Sequence, residues 1–187
     1  LRSASKFESI LGGHPEFGKV PGVEASTGAL GHGPAIGAGM AIGAKLNKFK
    51  YKTFVIVGDG EINEGSFWES SMIASKHKLN NFHIIIDYNK IQSYGKTKEV
   101  LDLEPLKYKL ESFGYDVSEV NGHNINKLSQ YFTKIKNNKK KPTALICHTI
   151  KGKGFPFAEN NPLWHHKNFF TEKEVKEINK YLGKNKI

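Results

Sequence analysis

The feature that most constrains the fold is a pair of short apolar runs, each of which ends abruptly in polar residues. The first run, TFVIV at residues 53–57, ends in Gly-Asp-Gly, and the second, HIII at residues 83–86, ends in Asp-Tyr-Asn. The segment between them, residues 64–80, predicts a helix. A strand, a helix and a strand in so short a stretch form a βαβ unit, with parallel strands and a right-handed crossover. The predicted helix offers its large apolar side chains as core candidates: Phe67, Trp68, Met72, Ile73 and Leu79.

The remaining segments continue this alternation of helices and strands. The order of elements predicts an α/β fold with a mostly parallel sheet flanked by helices. Residues 1–33 have no clean periodicity and predict an ordered loop, and a loop of that length is usually functional. The further predicted elements are a helix at 33–50, a helix at 106–114, an edge-like strand at 115–120, a helix at 124–138, a buried strand at 142–149, and a helix at 171–184 that begins with a Thr171–Glu174 capping box.

The predicted helix at residues 33–50 is unusually rich in glycine and alanine. Each glycine in a helix costs about 0.5–1 kcal/mol relative to alanine. We therefore expect this helix to gain a compensating close approach to another backbone or to a ligand.

Composition excludes several classes of protein. The net charge is +10, but the densest basic cluster, residues 134–142, lacks the interleaved aromatic side chains of a single-strand nucleic-acid binder. No apolar run approaches the roughly 20 residues of a membrane span, and the first residues do not resemble a signal peptide. The single cysteine, Cys147, fits a reducing compartment. We expect a cytoplasmic protein that binds neither nucleic acid nor membrane.

The polar residues at the two strand ends predict a metal site. Asp59 and Asn89 follow neighbouring parallel strands, and ligands of open α/β sheets bind outside the carboxyl ends of the strands. Carboxylate and amide oxygens suit Mg²⁺ or Ca²⁺, and Mg²⁺ usually completes its coordination with phosphate and water. This pattern favours a magnesium–diphosphate site. On the pattern alone, the alternative stays open that Gly-Asp-Gly is a tight turn and Asn89 a local cap.

Three stretches of the chain resemble one enzyme family. Residues 58–91 resemble the thiamine diphosphate motif, in which Gly-Asp-Gly is followed at a distance by Asn. Residues 12–33, GGHPEFGKVPGVEASTGALGHG, resemble the Gly-His-Pro-Glu segment and the diphosphate loop of transketolases. Residues 148–167 resemble the later Lys-Gly-Lys-Gly and Trp-His segment of that family. The short form is also similar to split transketolases, in which the two thiamine-binding modules are separate chains.

The resemblance implies a thiamine diphosphate-binding fold and a set of cofactor residues. The side-chain oxygens of Asp59 and Asn89 and the backbone carbonyl of Ile91 would hold Mg²⁺ or Ca²⁺. Gly58 and Gly60 would let the diphosphate approach the backbone. The other positions implied to contact the cofactor are Gly28, Leu30, Ile150 and His165.

The resemblance also implies three catalytic residues. His14 matches the histidine that faces the hydroxyls of the donor sugar, and His165 matches a histidine near the diphosphate and the substrate. Glu64 matches the interface glutamate of an acid network that links the two active sites of a dimer; its alternative role is an acid at a helix N-terminus. Glu61 is interpreted as a surface residue. His166 stands where the family more often has glycine, and adjacent histidines are expected to point apart rather than to bind a metal.

The function implied is transfer of a two-carbon ketol unit between a ketose phosphate and an aldose phosphate. Residues 1–187 would form one diphosphate-binding domain of an N-terminal transketolase subunit. The pyrimidine-binding module would come from a partner chain, in a heterotetramer containing a homodimer of this chain, and the chain alone would be inactive. The segment that usually precedes Gly-His-Pro-Glu is not in the sequence. The alternatives are another thiamine diphosphate enzyme, such as a 1-deoxyxylulose-5-phosphate synthase or a 2-oxo acid dehydrogenase, and a degenerate non-catalytic binding module.

Overall fold

The computed structural model describes residue 3 and residues 6–136, 140–167 and 169–184. The order of its elements confirms the predicted α/β class. The helices are α1 (His32–Leu46), α2 (Gly65–Lys76), α3 (Thr97–Val100), α4 (Leu106–Ser112), α5 (Ile125–Ile135) and α6 (Glu172–Lys184). The strands are β1 (Thr53–Gly58), β2 (Phe82–Tyr88), β3 (Ile91–Gln92), β4 (Gly95–Lys96), β5 (Asp116–Asn121) and β6 (Thr143–His148). Two short 3₁₀ turns span Gly60–Asn63 and Pro162–Trp164.

Four strands form one parallel sheet in the order β1-β2-β6-β5. The β1–α2–β2 segment is the predicted βαβ unit, and β5 is an edge strand, as predicted. In the register between neighbours, Gly58 pairs with Asp87, and Asp87 pairs with Cys147. The carboxyl ends of β1, β2 and β6 therefore lie side by side at one end of the sheet.

One face of this sheet is covered by α1, α2 and α4. Their buried residues form a continuous cluster with β1, β2 and β6 that includes Phe67, Phe82 and Leu110, each 0 % exposed. The small-residue helix packs closely, because a Cβ added at Gly37 would clash with Val55 and lie 3.0 Å from the Phe82 ring. The close approach at Gly37 is thus to side chains of the sheet rather than to a backbone, whereas a Cβ added at Gly39 or Gly43 would meet no atom within 4 Å.

The opposite face is covered less evenly. Helix α5 packs its Tyr131 and Ile135 on Leu145 and Cys147 of β6. At the far side of the same sheet, Ile56 of β1 is 72 % exposed. The two faces of β1 thus differ, since one lies under α1 and the other is largely open.

For two residues of α2 the predicted position in the core is wrong. Met72 and Ile73 are 54 % and 46 % exposed, whereas Phe67 and Leu79 are buried as predicted. The inner face of α2 instead carries Ser70 and Ser71. Both hydroxyls donate to the carbonyl of Phe67 at 2.8 Å, so these small polar residues are satisfied within the helix and pack inward.

Near both ends of the chain, the described residues have the structure that the sequence predicts. The capping box of α6 is present: Thr171 N donates to Glu174 Oε2 at 2.8 Å, and Glu174 N donates to Thr171 Oγ1 at 3.3 Å. No helix or strand occurs in the described part of residues 1–31. Helix α5 ends at Ile135, and the predicted end of that helix at 137–138 lies outside the described residues. The short elements β3, β4 and α3 were not predicted.

The described helices include none that combines the length and the apolar character needed to cross a membrane.

Candidate active site at the carboxyl ends of the strands

Asp59 links the tips of β1 and β2. Its side chain is 2 % exposed. Oδ1 accepts a hydrogen bond from Gly60 N at 2.8 Å, and Oδ2 accepts one from Lys90 N, directly after Asn89. Burial raises the pKa of the Asp59 carboxyl, opposed by these two N–H donors; the charge of Asp87 raises it further and that of Lys151 lowers it.

Asn89 is held in a local turn at the tip of β2. Its Oδ1 accepts a hydrogen bond from Ile91 N at 3.0 Å, and its Nδ2 donates to Asp87 Oδ2 at 3.3 Å. The alternative of a local cap is therefore present in the geometry. It does not exclude a metal, because a carbonyl-type oxygen keeps a second lone pair after accepting one hydrogen bond.

Asp59 and Asn89 fit the oxygen ligands expected for a hard divalent cation. None of the ion pairs between described residues involves Asp59. A buried carboxylate that no ion pair neutralises is costly, and a bound cation would stabilise it. The described residues contain no cluster of three or more His, Cys, Asp or Glu side chains suited to a metal. The predicted ligand set has only one such side chain, and it relies on amide and backbone oxygens for the rest.

The two glycines around Asp59 serve different purposes. A Cβ added at Gly58 would meet no other atom within 4 Å, so the tip of β1 has open space beside it. A Cβ added at Gly60 would lie 2.8 Å from the Cβ of Gln92. Gly58 therefore leaves room for a ligand, and Gly60 lets the β3–β4 hairpin pack on the 3₁₀ turn.

The predicted substrate residue His14 rests on the predicted cofactor residue Gly28. Gly28 has φ +125, and a Cβ added there would lie 2.7 Å from Cγ of His14. Gly28 and Leu30 line a cavity of about 880 Å³ between the loop, α1 and β1. The loop therefore brings these three residues to one region.

Glu64 lies against the loop at the start of α2. A Cβ added at Gly31 would lie 2.7 Å from the Cβ of Glu64. Glu64 is exposed and is the N-cap of α2, but its side chain makes no capping hydrogen bond. The carboxylate is thus open to solvent in this chain.

Glu61 is not the surface residue that the sequence suggested. It is half-buried, its Oε1 accepts a hydrogen bond from Gly31 N at 3.0 Å, and its Oε2 accepts one from Gly58 N at 3.4 Å. The acid lies in the turn Gly60–Asn63, which folds back toward the loop, and this long-range contact has no signature in local sequence.

The two adjacent histidines do not point apart. Ser93 Oγ lies 3.2 Å from His165 Nε2 and 2.9 Å from His166 Nε2. His165 Nδ1 is buried without a hydrogen-bond partner among the described residues. Burial lowers the pKa of His165, and the charges of Lys151 and His166 lower it further, so its imidazole is neutral at physiological pH.

Ile150 lines a second cavity, of about 410 Å³, together with Asn89 and Lys151. Its backbone N donates to His123 Nε2 at 2.8 Å. The sequence assigned no role to Lys151, although its charge acts on the pKa of both Asp59 and His165. The Lys-Gly-Lys-Gly stretch was the signal that could have pointed to it.

The structure brings several of the predicted residues next to one another, and Lys151 is close enough to both Asp59 and His165 for its charge to affect their pKa. Asp59 adjoins the turn of Asn89 and Ile91, His14 adjoins Gly28, and His165 adjoins Ser93. Their assigned roles stay predictions.

Comparison with known proteins identifies the family. The model of the family described as "Transketolase, thiamine diphosphate binding domain" matches residues 1–186. An apulose-4-phosphate transketolase subunit from Phocaeicola vulgatus is 47 % identical over 161 residues, which are 86 % of this chain and 57 % of the relative. The 6-deoxy-6-sulfo-D-fructose transketolase subunit of a Clostridium species is 34 % identical over 157 residues, which are 84 % of this chain and 57 % of that relative. The chain thus spans little more than half of these relatives.

Solved structures agree with the family assignment. The crystal structure of transketolase from Campylobacter jejuni matches with a TM-score of 0.87 and 29 % identity, over 97 % of this chain and 29 % of that one. The Pichia stipitis transketolase in complex with sedoheptulose 7-phosphate matches with a TM-score of 0.88 and 27 % identity, over 97 % of this chain and 28 % of that one. The chain therefore belongs to the transketolase family, of which it carries the thiamine diphosphate-binding domain.

Proposed function

We propose that this chain is the N-terminal, diphosphate-binding subunit of a two-chain transketolase. The complete enzyme would move a two-carbon ketol unit from a ketose phosphate to an aldose phosphate. The observation that carries the proposal is the buried residue Asp59, which is 2 % exposed and whose carboxylate accepts hydrogen bonds from backbone N–H groups at both neighbouring strand tips. A divalent cation would stabilise such a carboxylate. Relatives whose names describe them as subunits of transketolases support the division into two chains.

In this proposal, Mg²⁺ (or Ca²⁺) is held by Asp59, Asn89 and the carbonyl of Ile91. The open space beside Gly58 supports an approach of the diphosphate to the backbone there. The remaining cofactor contacts are Gly28, Leu30, Gly60, Ile150 and His165. When bound, thiamine diphosphate would supply the carbon nucleophile that adds to a ketose carbonyl.

The side chains of this subunit would orient the donor sugar. His14 hydrogen-bonds the hydroxyls of the sugar, and it is exposed at the loop surface where a sugar can reach it. His165, kept neutral by burial, offers an uncharged polar group near the diphosphate. Glu64 is free of capping contacts and meets a second copy of the chain, where it joins an acid network between two sites.

The active assembly would need a pyrimidine-binding partner subunit. We propose a heterotetramer of two copies of each chain, and an inactive chain in isolation. Residues 1–187 act as a single diphosphate-binding domain. The substrates are sugar phosphates, and neither nucleic acid nor membrane is a partner. A cytoplasmic location is proposed, which the one cysteine, the buried and free Cys147, fits.

Co-expression with a pyrimidine-binding subunit tests the proposal. The assembled protein should turn over xylulose 5-phosphate with an aldose phosphate acceptor, and each chain alone should not. Turnover of pyruvate instead would place the protein among other thiamine diphosphate enzymes. Calorimetric titration with thiamine diphosphate and Mg²⁺ provides the second measurement, because failure of the assembled protein to bind the cofactor would identify a degenerate module.

A further inference from the structure

The N-terminus of α1 is capped from another part of the chain. Helix α1 begins after Gly31, which has φ +77 and no side chain, and its first turn contains no acid. The N–H of Gly31 donates to Glu61 Oε1 at 3.0 Å across 30 residues of sequence. In a capping box, a glutamate of the same helix accepts the N–H of the N-cap residue. Glu61 supplies the equivalent acceptor from the turn after β1.

The second oxygen of Glu61 contacts the strand end. Oε2 accepts a hydrogen bond from Gly58 N at 3.4 Å. A carboxylate only accepts hydrogen bonds, so both N–H groups must be the donors. One half-buried side chain therefore joins the loop before α1 to the tip of β1, one residue from Asp59.

This link is unusual for the loop. Among the described residues, the other hydrogen bonds of residues 6–31 are made within the loop, with Ser3 or with the start of α1. Glu61 also lines the cavity of about 880 Å³ that Gly28 and Leu30 line. The position of the loop relative to the strand tip thus depends on one carboxylate and on steric contacts such as that of Gly31 with Glu64.

We propose that Glu61 is a positioning residue, which holds the loop at residues 28–31 against the tip of β1 so that the cofactor meets a preassembled site. The inference rests on the proposed function, since it assumes that Gly28 and Leu30 contact thiamine diphosphate. Glu61 itself is not assigned a contact with the cofactor. Its effect is to fix the distance between the loop and Asp59.

Amide hydrogen exchange of the chain without cofactor tests whether Glu61 holds residues 28–31 against the tip of β1. Glu61→Ala should accelerate exchange at Gly31 N–H by about tenfold, the effect of losing a charge-assisted hydrogen bond. Glu61→Gln keeps one acceptor oxygen and should restore much of the protection. Glu69→Ala, which removes an exposed acid of α2, is the matched control and should change nothing. Unchanged exchange at Gly31 in Glu61→Ala, or faster exchange throughout the sheet, would overturn the proposal.

Cofactor kinetics of the assembled enzyme test the functional consequence. Glu61→Ala should raise the KM for thiamine diphosphate by about tenfold and leave kcat at saturating cofactor within about twofold. Glu61 affects how the cofactor site is assembled and does not take part in the chemical step. The KM of Glu61→Gln should lie between those of the parent enzyme and Glu61→Ala. Faster exchange at Gly31 with an unchanged KM would also overturn the proposal. If the parent enzyme binds no thiamine diphosphate, the proposed function fails. The exchange data would still decide whether Glu61 holds the loop through Gly31.

Discussion

Asp59 and His14 are assigned to the same active site, but the chain holds them in opposite ways. Asp59 is 2 % exposed, lies at the end of a central βαβ unit, and is fixed by two backbone N–H groups. His14 is exposed, lies in a segment without helix or strand, and rests on Gly28. The difference indicates that sheet geometry positions the proposed metal ligand, whereas contacts within a loop position the residue proposed to bind the sugar.

The largest effect should follow from removing the Asp59 carboxylate at the tip of β1. Asp59→Ala removes the only carboxylate of the proposed metal set and should weaken Mg²⁺-dependent binding of thiamine diphosphate by at least about 100-fold. Isothermal titration of the assembled enzyme measures this affinity. Asp116→Ala, at the amino end of β5, is the control and should bind normally. An Asp59→Ala variant with parental affinity would refute the metal assignment.

The next effect should come from the loop, through Gly28. Gly28→Ala places a methyl group where the His14 ring lies and should lower kcat/KM for the ketose phosphate by about 10- to 100-fold, as expected for a misplaced substrate-binding group. Gly18→Ala is the matched control, since Gly18 also has a positive φ, +82, but nothing lies within 4 Å of an added Cβ. If both variants lose activity equally, backbone strain rather than the His14 contact is responsible.

A smaller and more selective effect is expected for His14→Ala. Loss of a hydrogen bond to the sugar should lower kcat/KM for the ketose phosphate by about tenfold. The affinity for thiamine diphosphate should stay nearly intact, because the proposed metal ligands are elsewhere. His77→Ala, an exposed histidine at the end of α2, serves as the control in the same steady-state assay. Equal activity of His14→Ala and the parent enzyme counts against the sugar-binding role.

The smallest effect on activity should come from replacing His83. This residue is expected to affect the stability of the sheet, and it has no proposed role in the site. Burial, together with a smaller effect of the charge of Lys52, lowers the pKa of His83 from 6.5 to about 4. Between these two values the unfolded chain binds a proton at this position and the folded chain does not. The free energy of unfolding should therefore fall as the pH falls from 6.5 to about 4.

Urea unfolding at several pH values compares the parent chain with His83→Gln. The variant should lose part of this pH dependence and keep cofactor affinity at neutral pH. Identical pH profiles of the two proteins would show that His83 does not contribute to the change.

The sequence predicted the sheet and its polar tips because both depend on local patterns. An apolar run, a glycine pair and a buried strand such as β6 can be read without knowledge of distant contacts. The same holds for the small-residue helix α1, whose glycines indicated close packing. Its partner, Val55 of β1, emerged only from the structure.

Long-range contacts account for what the sequence missed. Glu61 looked like a surface acid because its partner Gly31 is 30 residues away. His165 and His166 looked divergent because nothing in the sequence indicates that the Oγ of Ser93 lies within hydrogen-bond distance of the Nε2 atoms of both rings. Met72 and Ile73 were assigned to the core because they are apolar, whereas two of the inner positions of α2 are occupied by the polar residues Ser70 and Ser71, which bond to the carbonyl of Phe67.

The pairing of β1 with β2 has a consequence for how the protein can be followed as it folds. Gly58 is aligned with Asp87, and in this alignment Lys90 N donates a hydrogen bond to the carboxylate of Asp59. A slip of one residue would turn the side chains of β2 to the opposite face and separate the two tips. Recovery of coenzyme affinity during renaturation would therefore report correct strand alignment, a property that far-ultraviolet circular dichroism does not detect.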